Sequence, residues 1–337
     1  MRCPTLTEIP VSPGKTGWPW TEESPQLPET IPDGRPWPKL SIVMPSYNQA
    51  KFIEATIRSV LLQGYPNLEF VIMDGGSNDG SVGIIRKYAP WIAYWASEPD
   101  RGQSHAINKG IARATGQILH WINSDDLILP NAFSTIGQLF VENSKHRLIT
   151  GQAKVINVQG DQVGEVHSGF SSWVDFATRQ CDIAQVATFF DRKLFDELGM
   201  IDESLEYCMD SDVLLRFTRK YPPLVIKPYV TAYRTHYTTK FEHNRLMGFK
   251  EADRTYLKHL FGGRMEPLYR EWSAGHWLRV SSFENMSYAD RMLSILQAMK
   301  MKPAILRSWE FYLAVIRANR IALREAFGRK TQSRCLA

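Results

Sequence analysis

The chain predicts an α/β fold: a mostly parallel sheet flanked by helices, with a helical C-terminal extension. Two patterns predict it. Short, fully apolar runs of strand length alternate with segments of helical periodicity over residues 40–126. From about Phe241 onward, the periodicity is helical alone.

Residues 1–38 come first and contain nine prolines with no sustained periodicity. Proline at that density blocks helix and sheet interiors, so this stretch predicts an irregular tail that proteolysis would trim. Order is expected from Leu40. LSIVMPS (40–46) is an apolar strand, followed by a helix with Ile53, Ile57, Val60 and Leu61 on one face and Gly64 as its stop. EFVIMD (69–74) is the next strand, then a Gly-Ser-Asn-Asp-Gly turn and a helix ending near Tyr88. IAYWAS (92–97) leads to Glu98-Pro99-Asp100-Arg101-Gly102 and a helix with Ile107, Ile111 and Ala114 on one side. QILHW (117–121) runs into Ile122-Asn123-Ser124-Asp125-Asp126. Strands are expected again near 148–158, 186–192 and 224–234, with a helix at 210–220. In the extension, Leu306, Trp309, Leu313, Ile316, Leu323 and Phe327 form an apolar stripe flanked by Arg307, Arg317 and Arg324. The domains read as a Pro-rich tail 1–38, a catalytic unit 39–240 and a helical region 241–337.

With 337 residues and 44% hydrophobic content, the chain can bury one large core and a second small one. No apolar run approaches the roughly 18 residues that span a bilayer, and no apolar leader opens the sequence, so a cytoplasmic protein is expected. Cys3, Cys181, Cys208 and Cys335 are far apart and form no CxxC pair, which argues against a zinc site or a disulfide framework. The net charge of +5 is uneven: 18 Lys and Arg against 9 Asp and Glu from Lys240 on, 22 against 26 before it. The basic third reads equally as solvated helix faces or as peripheral contact with an anionic membrane. It carries no recognisable nucleic-acid module.

In parallel sheets ligands bind beyond the carboxyl ends of the strands. The polar clusters fall there: Ser46-Tyr47-Asn48, Asp74-Gly75-Gly76, Glu98 to Gln103, and Ser124 to Asp126. Adjacent carboxylates after a strand suit Mn²⁺ or Mg²⁺, which bind through one or two acids plus substrate phosphates, and equally suit turn or cap chemistry. Neither GxGxxG after the first strand nor GxxxxGK[ST] is present. A diphosphate at this rim would therefore be held by a metal on Asp125 and Asp126, helped by Arg101 and Lys109. Asp74 reads as a base or ribose contact, or as a strand-end cap.

These segments, in this order, resemble the family 2 glycosyltransferases, the large inverting group with the GT-A fold. The matching pieces are SIVMPSYNQ (41–49), SVLLQGYPNLEFVIMDGGSNDGS (59–81), EPDRGQSHAINKGIARATG (98–116), WINSDD (121–126), QVATFFDRKLF (185–195), FDELGMIDESLEYCMDSDVLLRF (195–217) and YRTH (233–236). The likeness runs from Leu40 to His236 and is nearest to bacterial members that build cell-surface polysaccharides or glycolipids. It implies a nucleoside-diphosphate-sugar donor, a divalent cation, Mn²⁺ or Mg²⁺, and a glycan or lipid-linked acceptor. It implies that Pro45, Tyr47, Asn48 and Asp74 line the base, and that Arg101, Gln103, Asn108 and Lys109 flank the nucleotide sugar. Ser124, Asp125 and Asp126 correspond to the DxD-type motif, with Asp126 the direct metal ligand. Asp210 falls at the catalytic base, with Asp212 and Arg216 as neighbours, and His236 at a histidine near the metal. Taken without the resemblance, Asp210 reads as a helix first-turn acid and His236 as a structural histidine. Two other functions fit parts of the pattern: a sugar-1-phosphate nucleotidyltransferase, which SYNQAKF matches poorly, and a non-catalytic nucleotide-binding scaffold.

Overall fold

The computed structural model describes residues 1–177, 181–236, 245–261, 273–275, 277–278, 288–307, 311 and 314–315. Contacts divide the chain into two units, Met1–Thr239 and Lys240–Ala337.

The first unit is built on one nine-stranded sheet. Its leading half alternates strand and helix: β1 (Leu40–Ser46), α1 (Ile53–Leu61), β2 (Leu68–Asp74), α2 (Ser81–Tyr88), β3 (Tyr94–Ser97), α3 (Gln103–Arg113) and β4 (Ile118–Trp121). β1 pairs in parallel with both β2 and β4, and β2 with β3. Every residue of β1 and β2 is buried, as continuous apolar runs require when helices cover both faces. α3 lies so close to β1 that a Cβ on Gly110 would sit 2.3 Å from Val43 Cγ1, so only glycine fits that contact.

The trailing half is mixed. It comprises β5 (Leu127–Ile128), α4 (Ala132–Glu142), β6 (Leu148–Ile156), β7 (Gln162–Val166), α5 (Trp173–Ala177), β8 (Thr188–Asp191), α6 (Lys193–Leu198), α7 (Met209–Lys220) and β9 (Leu224–Arg234). The order across the sheet is β3-β2-β1-β4-β8-β6-β9-β5, with β7 beside β6. β8 enters antiparallel between β4 and β6, and β5 is antiparallel to β9. The parallel β6–β9 pair carries the late residues Arg234–His236 back to the end of β4.

Residues 1–38 make no helix or strand, as their prolines dictate, yet they are no loose tail. Cys3, Ile9, Ile31 and Trp37 are buried in the main core with β1, β2 and α1. The Met1 nitrogen donates to the Leu68 carbonyl at 2.6 Å, and the Trp18 indole donates to the Ile128 carbonyl at 2.9 Å. Leu27 N donates to the Gly64 carbonyl. Gly64 (φ +64°) accommodates this, because a Cβ there would lie 2.0 Å from the Pro25 carbonyl oxygen. Arg58 of α1, 1% exposed, donates to the carbonyls of Pro10, Pro19 and Trp20 and to the Tyr88 hydroxyl. The segment is a strap fastened across α1. Replacing Arg58 by Leu leaves three carbonyls without their donor, each a cost of about 1–3 kcal/mol when buried. Arg58→Leu is expected to lose about 3 kcal/mol or more, read as a lowered urea midpoint at unchanged m-value. An unchanged midpoint would show that the strap contributes nothing to stability.

Inside β4, His120 is fully buried and stacked on Phe189, its ring centroid 4.3 Å away. Its Nδ1 pairs with the Thr188 carbonyl at 2.8 Å, so that nitrogen carries the proton and Nε2 is left without a partner. Burial lowers its pKa to about 4.

The second unit contributes α8 (Arg245–Phe261) and α9 (Tyr288–Met301) and a small core of Phe249, Ala274, Trp277, Leu278, Ile295, Ala298, Ile305 and Ala314. Of the expected apolar stripe, Leu306 and Arg307 end a 3₁₀ turn (Pro303–Arg307), and Leu306 is exposed. Trp309, Leu313, Ile316, Arg317, Leu323, Arg324 and Phe327 lie outside the described residues. No helix among the described residues is long and apolar enough to cross a membrane.

Candidate functional site

The turn after β4 is held by side chains rather than by a ladder. Thr56 of α1 donates its hydroxyl to the Ser124 and Asp126 carbonyls at 3.0 and 2.7 Å. Arg234 Nε donates to the Asp125 carbonyl between them at 2.8 Å. The two acids then diverge. Asp126 points inward and is fully buried; its Oδ1 accepts from Arg234 N at 2.8 Å and its Oδ2 from Asn123 Nδ2 at 3.1 Å. Burial first, and the Asp125 charge second, push the Asp126 carboxyl well above the usual carboxylate range. Asp125 faces the rim, with Oδ2 2.8 Å from His236 Nε2. Asp126 is thus enclosed and bonded to the backbone, and Asp125 is the acid that lies at the rim beside His236.

The first and second strand ends form one network. Asn48 (φ 51°) donates its backbone N–H to Ser77 Oγ at 2.8 Å and accepts from Asn78 N through Oδ1 at 3.0 Å. Asp74, 2% exposed, accepts from the N–H groups of Gly76 and Ser77 and from the hydroxyls of Ser77 and Ser97. These bonds close the turn that follows β2. Pro45 is buried inside β1 opposite Met73. Tyr47, by contrast, is 63% exposed. Its ring and the Asp100 carboxylate converge over Gly75, 3.3 and 2.7 Å from where a Cβ would stand.

On the third strand end, most polar groups already have protein partners. Arg101 Nη2 donates to Glu203 Oε2 at 2.5 Å, and Lys109 pairs with Glu98. Asn108 bonds both backbone groups of Ile201 and Glu203 Oε1. Gln103 Nε2 donates to Asn123 Oδ1 at 2.7 Å, completing a relay Gln103–Asn123–Asp126. Ser104, the next residue, donates to the Leu205 carbonyl and contacts Met209 Sδ at 2.8 Å.

That last contact sets the head of α7, where Asp210 follows Met209, against the start of α3. Asp210 is half-buried in the first turn of α7, its Oδ1 accepting from Ser211 N at 2.7 Å. Asp212 is buried and paired with Arg216 Nε at 2.8 Å; Arg216 also donates to the carbonyls of Leu198, Gly199 and Met200, fixing the segment that leads to Glu203. The sequence reading singled out Asp125, His236 and Asp210 and missed Thr56, Asn123, Glu203 and Arg234. Arg234, Asn123 and Glu203 lay inside quoted segments; nothing local marks Thr56.

Among the described residues, no group of three or more His, Cys, Asp or Glu could hold a metal unaided. Asp125 Oδ2 and His236 Nε2 supply two donors of suitable type on one side, which fits a divalent cation that completes its shell with substrate phosphates.

Residues 41–195 match the model of glycosyl transferase family 2. An uncharacterized glycosyltransferase of Rickettsia typhi is 28% identical over 195 residues, covering 54% of this chain and 59% of that protein. An uncharacterized glycosyltransferase of Mycobacterium tuberculosis is 39% identical over 90 residues, 26% of this chain and 34% of that protein. The chain thus spans less than two thirds of these curated relatives. Among solved structures, S. aureus TarS 1-349 in complex with UDP aligns at a TM-score of 0.57 and 15% identity, over 87% of this chain and 92% of that chain. The same protein in complex with UDP-GlcNAc aligns at 0.52 and 14%, over 79% and 90%. Residues 41–195 are thus similar to glycosyl transferase family 2, on a sheet of the GT-A type.

Proposed function

We infer that the protein transfers a sugar, with inversion, from a nucleoside-diphosphate sugar to an acceptor hydroxyl. The observation that carries this reading is the Asp125–His236 pair on the rim of the family 2-like domain, with Asp210 at the head of α7 against the start of α3. The exposed Tyr47 ring over Gly75 offers an aromatic face to a base, with Asp100 at its edge. Asp125 and His236 would hold Mn²⁺ or Mg²⁺, and a cation there supplies Lewis-acid charge to the leaving diphosphate. Asp210 acts as the general base. It takes the proton of the acceptor hydroxyl as that oxygen bonds to the anomeric carbon and the carbon–phosphate oxygen bond breaks. Ser124, Gln103 and Asn123 keep the floor of the site in place. Arg101 is the mobile positive charge: its side chain is 70% exposed and held by a single exposed ion pair, which costs little to exchange for a phosphate. The acceptor belongs to a cell-envelope glycan or a lipid-linked sugar, reached from the cytoplasmic side, with the basic C-terminal third against anionic lipid.

The test is a panel of UDP-, GDP- and dTDP-sugars with and without Mn²⁺ or Mg²⁺, measuring released nucleoside diphosphate. Metal-dependent release from one donor class is expected. Release from none of them, with candidate acceptors present, would sink the reading.

A further inference from the structure

We propose that Arg234 is a positioning residue that sets the gap between Asp125 and His236 and thereby the metal affinity of the site. The inference rests on the metal reading given above.

Three consecutive carbonyls, those of Ser124, Asp125 and Asp126, turn away from any strand partner and accept from side chains. Thr56 takes the outer two and the Arg234 guanidinium the middle one. Arg234 is thus the side chain that fixes the Asp125 peptide itself. Its other arm, Nη1, donates to the Asn157 carbonyl at 2.8 Å, anchoring the guanidinium to the segment after β6. Its face lies against the Phe52 ring, with Cζ 5.1 Å from the centroid. The same ring packs on His236, centroids 4.9 Å apart and planes tilted by 32°. Phe52 is therefore the shared wall: Arg234 and His236 both lean on it, and Asp125 hangs from Arg234. Displace the guanidinium and both halves of the 2.8 Å pair lose a support.

The chemistry selects arginine. The residue must donate in two directions at once, through Nε and Nη1, while presenting a flat face to an aromatic ring. A planar guanidinium does this; an ammonium reaches one carbonyl and stacks poorly. Arg234 is also 5% exposed, so its geometry is set by packing rather than by solvent. Its backbone N–H holds Asp126 whatever its side chain, which separates the two roles: side-chain substitution should spare Asp126 and disturb Asp125.

The experiment titrates the full chain with Mn²⁺ in the presence of UDP or GDP, against a protein-free nucleotide control, and reads free Mn²⁺ by electron paramagnetic resonance. Outer-shell partners of metal ligands typically contribute about 10- to 100-fold in affinity. Arg234→Lys is expected to weaken Mn²⁺ binding by about tenfold or more, and Phe52→Leu to weaken it in the same direction. In turnover with the donor found in the panel, Arg234→Lys should raise the Mn²⁺ requirement and recover most of kcat at saturating Mn²⁺. Should Arg234→Lys fold poorly, Phe52→Leu reports on the same brace from its other end. Asp125→Asn is the reference. If it abolishes Mn²⁺ binding while Arg234→Lys and Phe52→Leu bind like the unmodified protein, the positioning role is wrong. A fall in kcat at every Mn²⁺ concentration, with Mn²⁺ affinity unchanged, also overturns it, because that is what a general structural role would give. If the unmodified protein binds no Mn²⁺, or Asp125→Asn changes nothing, the metal reading itself fails and this inference with it.

Discussion

Asp210→Asn is expected to lower turnover by about 10²-fold or more while nucleoside diphosphate still binds with near-normal affinity. The substitution keeps the volume of the side chain and its bond from Ser211 N, so the first turn of α7 should stand. What it removes is the ability to accept a proton, and general-base catalysis is worth on the order of 10²- to 10⁴-fold. The loss should appear in kcat and kcat/KM together, the mark of an interaction made in the transition state. Asp212 is the contrast. It is buried and paired with Arg216, which fixes the Leu198–Met200 carbonyls, so Asp212→Asn should lower the melting temperature more than kcat per folded molecule. Near-normal turnover by Asp210→Asn, or loss of nucleotide binding with it, would remove Asp210 from the role of base.

The second large effect separates the adjacent acids. With Mn²⁺ present, Asp125→Asn should cut affinity for nucleoside diphosphate at least as much as the roughly 10- to 100-fold typical of outer-shell losses. Asp126→Asn should cost less than tenfold. The physical reason is that Asp126 is enclosed and pushed toward its neutral form, which an amide resembles in shape and charge. The new amide group would face Asn123 Nδ2, and the Gln103–Asn123 amides can turn over together to meet it. Calorimetry of the two variants against UDP and GDP decides. Equal losses, or a larger one at Asp126, would assign the ligand role to Asp126.

The leading half of the sheet was legible because strands buried on both faces must be continuous apolar runs, and LSIVMPS and EFVIMD are. The insertion of β8 between β4 and β6 was not legible, since pairing partners some 40 to 70 residues apart leave no local trace. Residues 1–38 were misread for a definable reason. Proline density forbids regular elements, but burial needs only apolar side chains, and Cys3, Ile9, Ile31 and Trp37 each stand beside one of those prolines. The acid pair shows the same limit at finer scale. Two neighbouring carboxylates are alike in sequence, and which one turns inward depends on Thr56 and Arg234, about 70 and 108 residues away.

The strap also has a consequence in time. Trp18 and its acceptor Ile128 are 110 residues apart. At roughly 5–20 residues per second of synthesis, the strap waits about 5–20 s for its seat to emerge. Through that interval the strap lacks the part of its seat that β5 provides, and closing so long a loop adds an entropic cost that local contacts avoid. The hydrogen bond from Trp18 can therefore form only after β5 has emerged, well after α1 has been made.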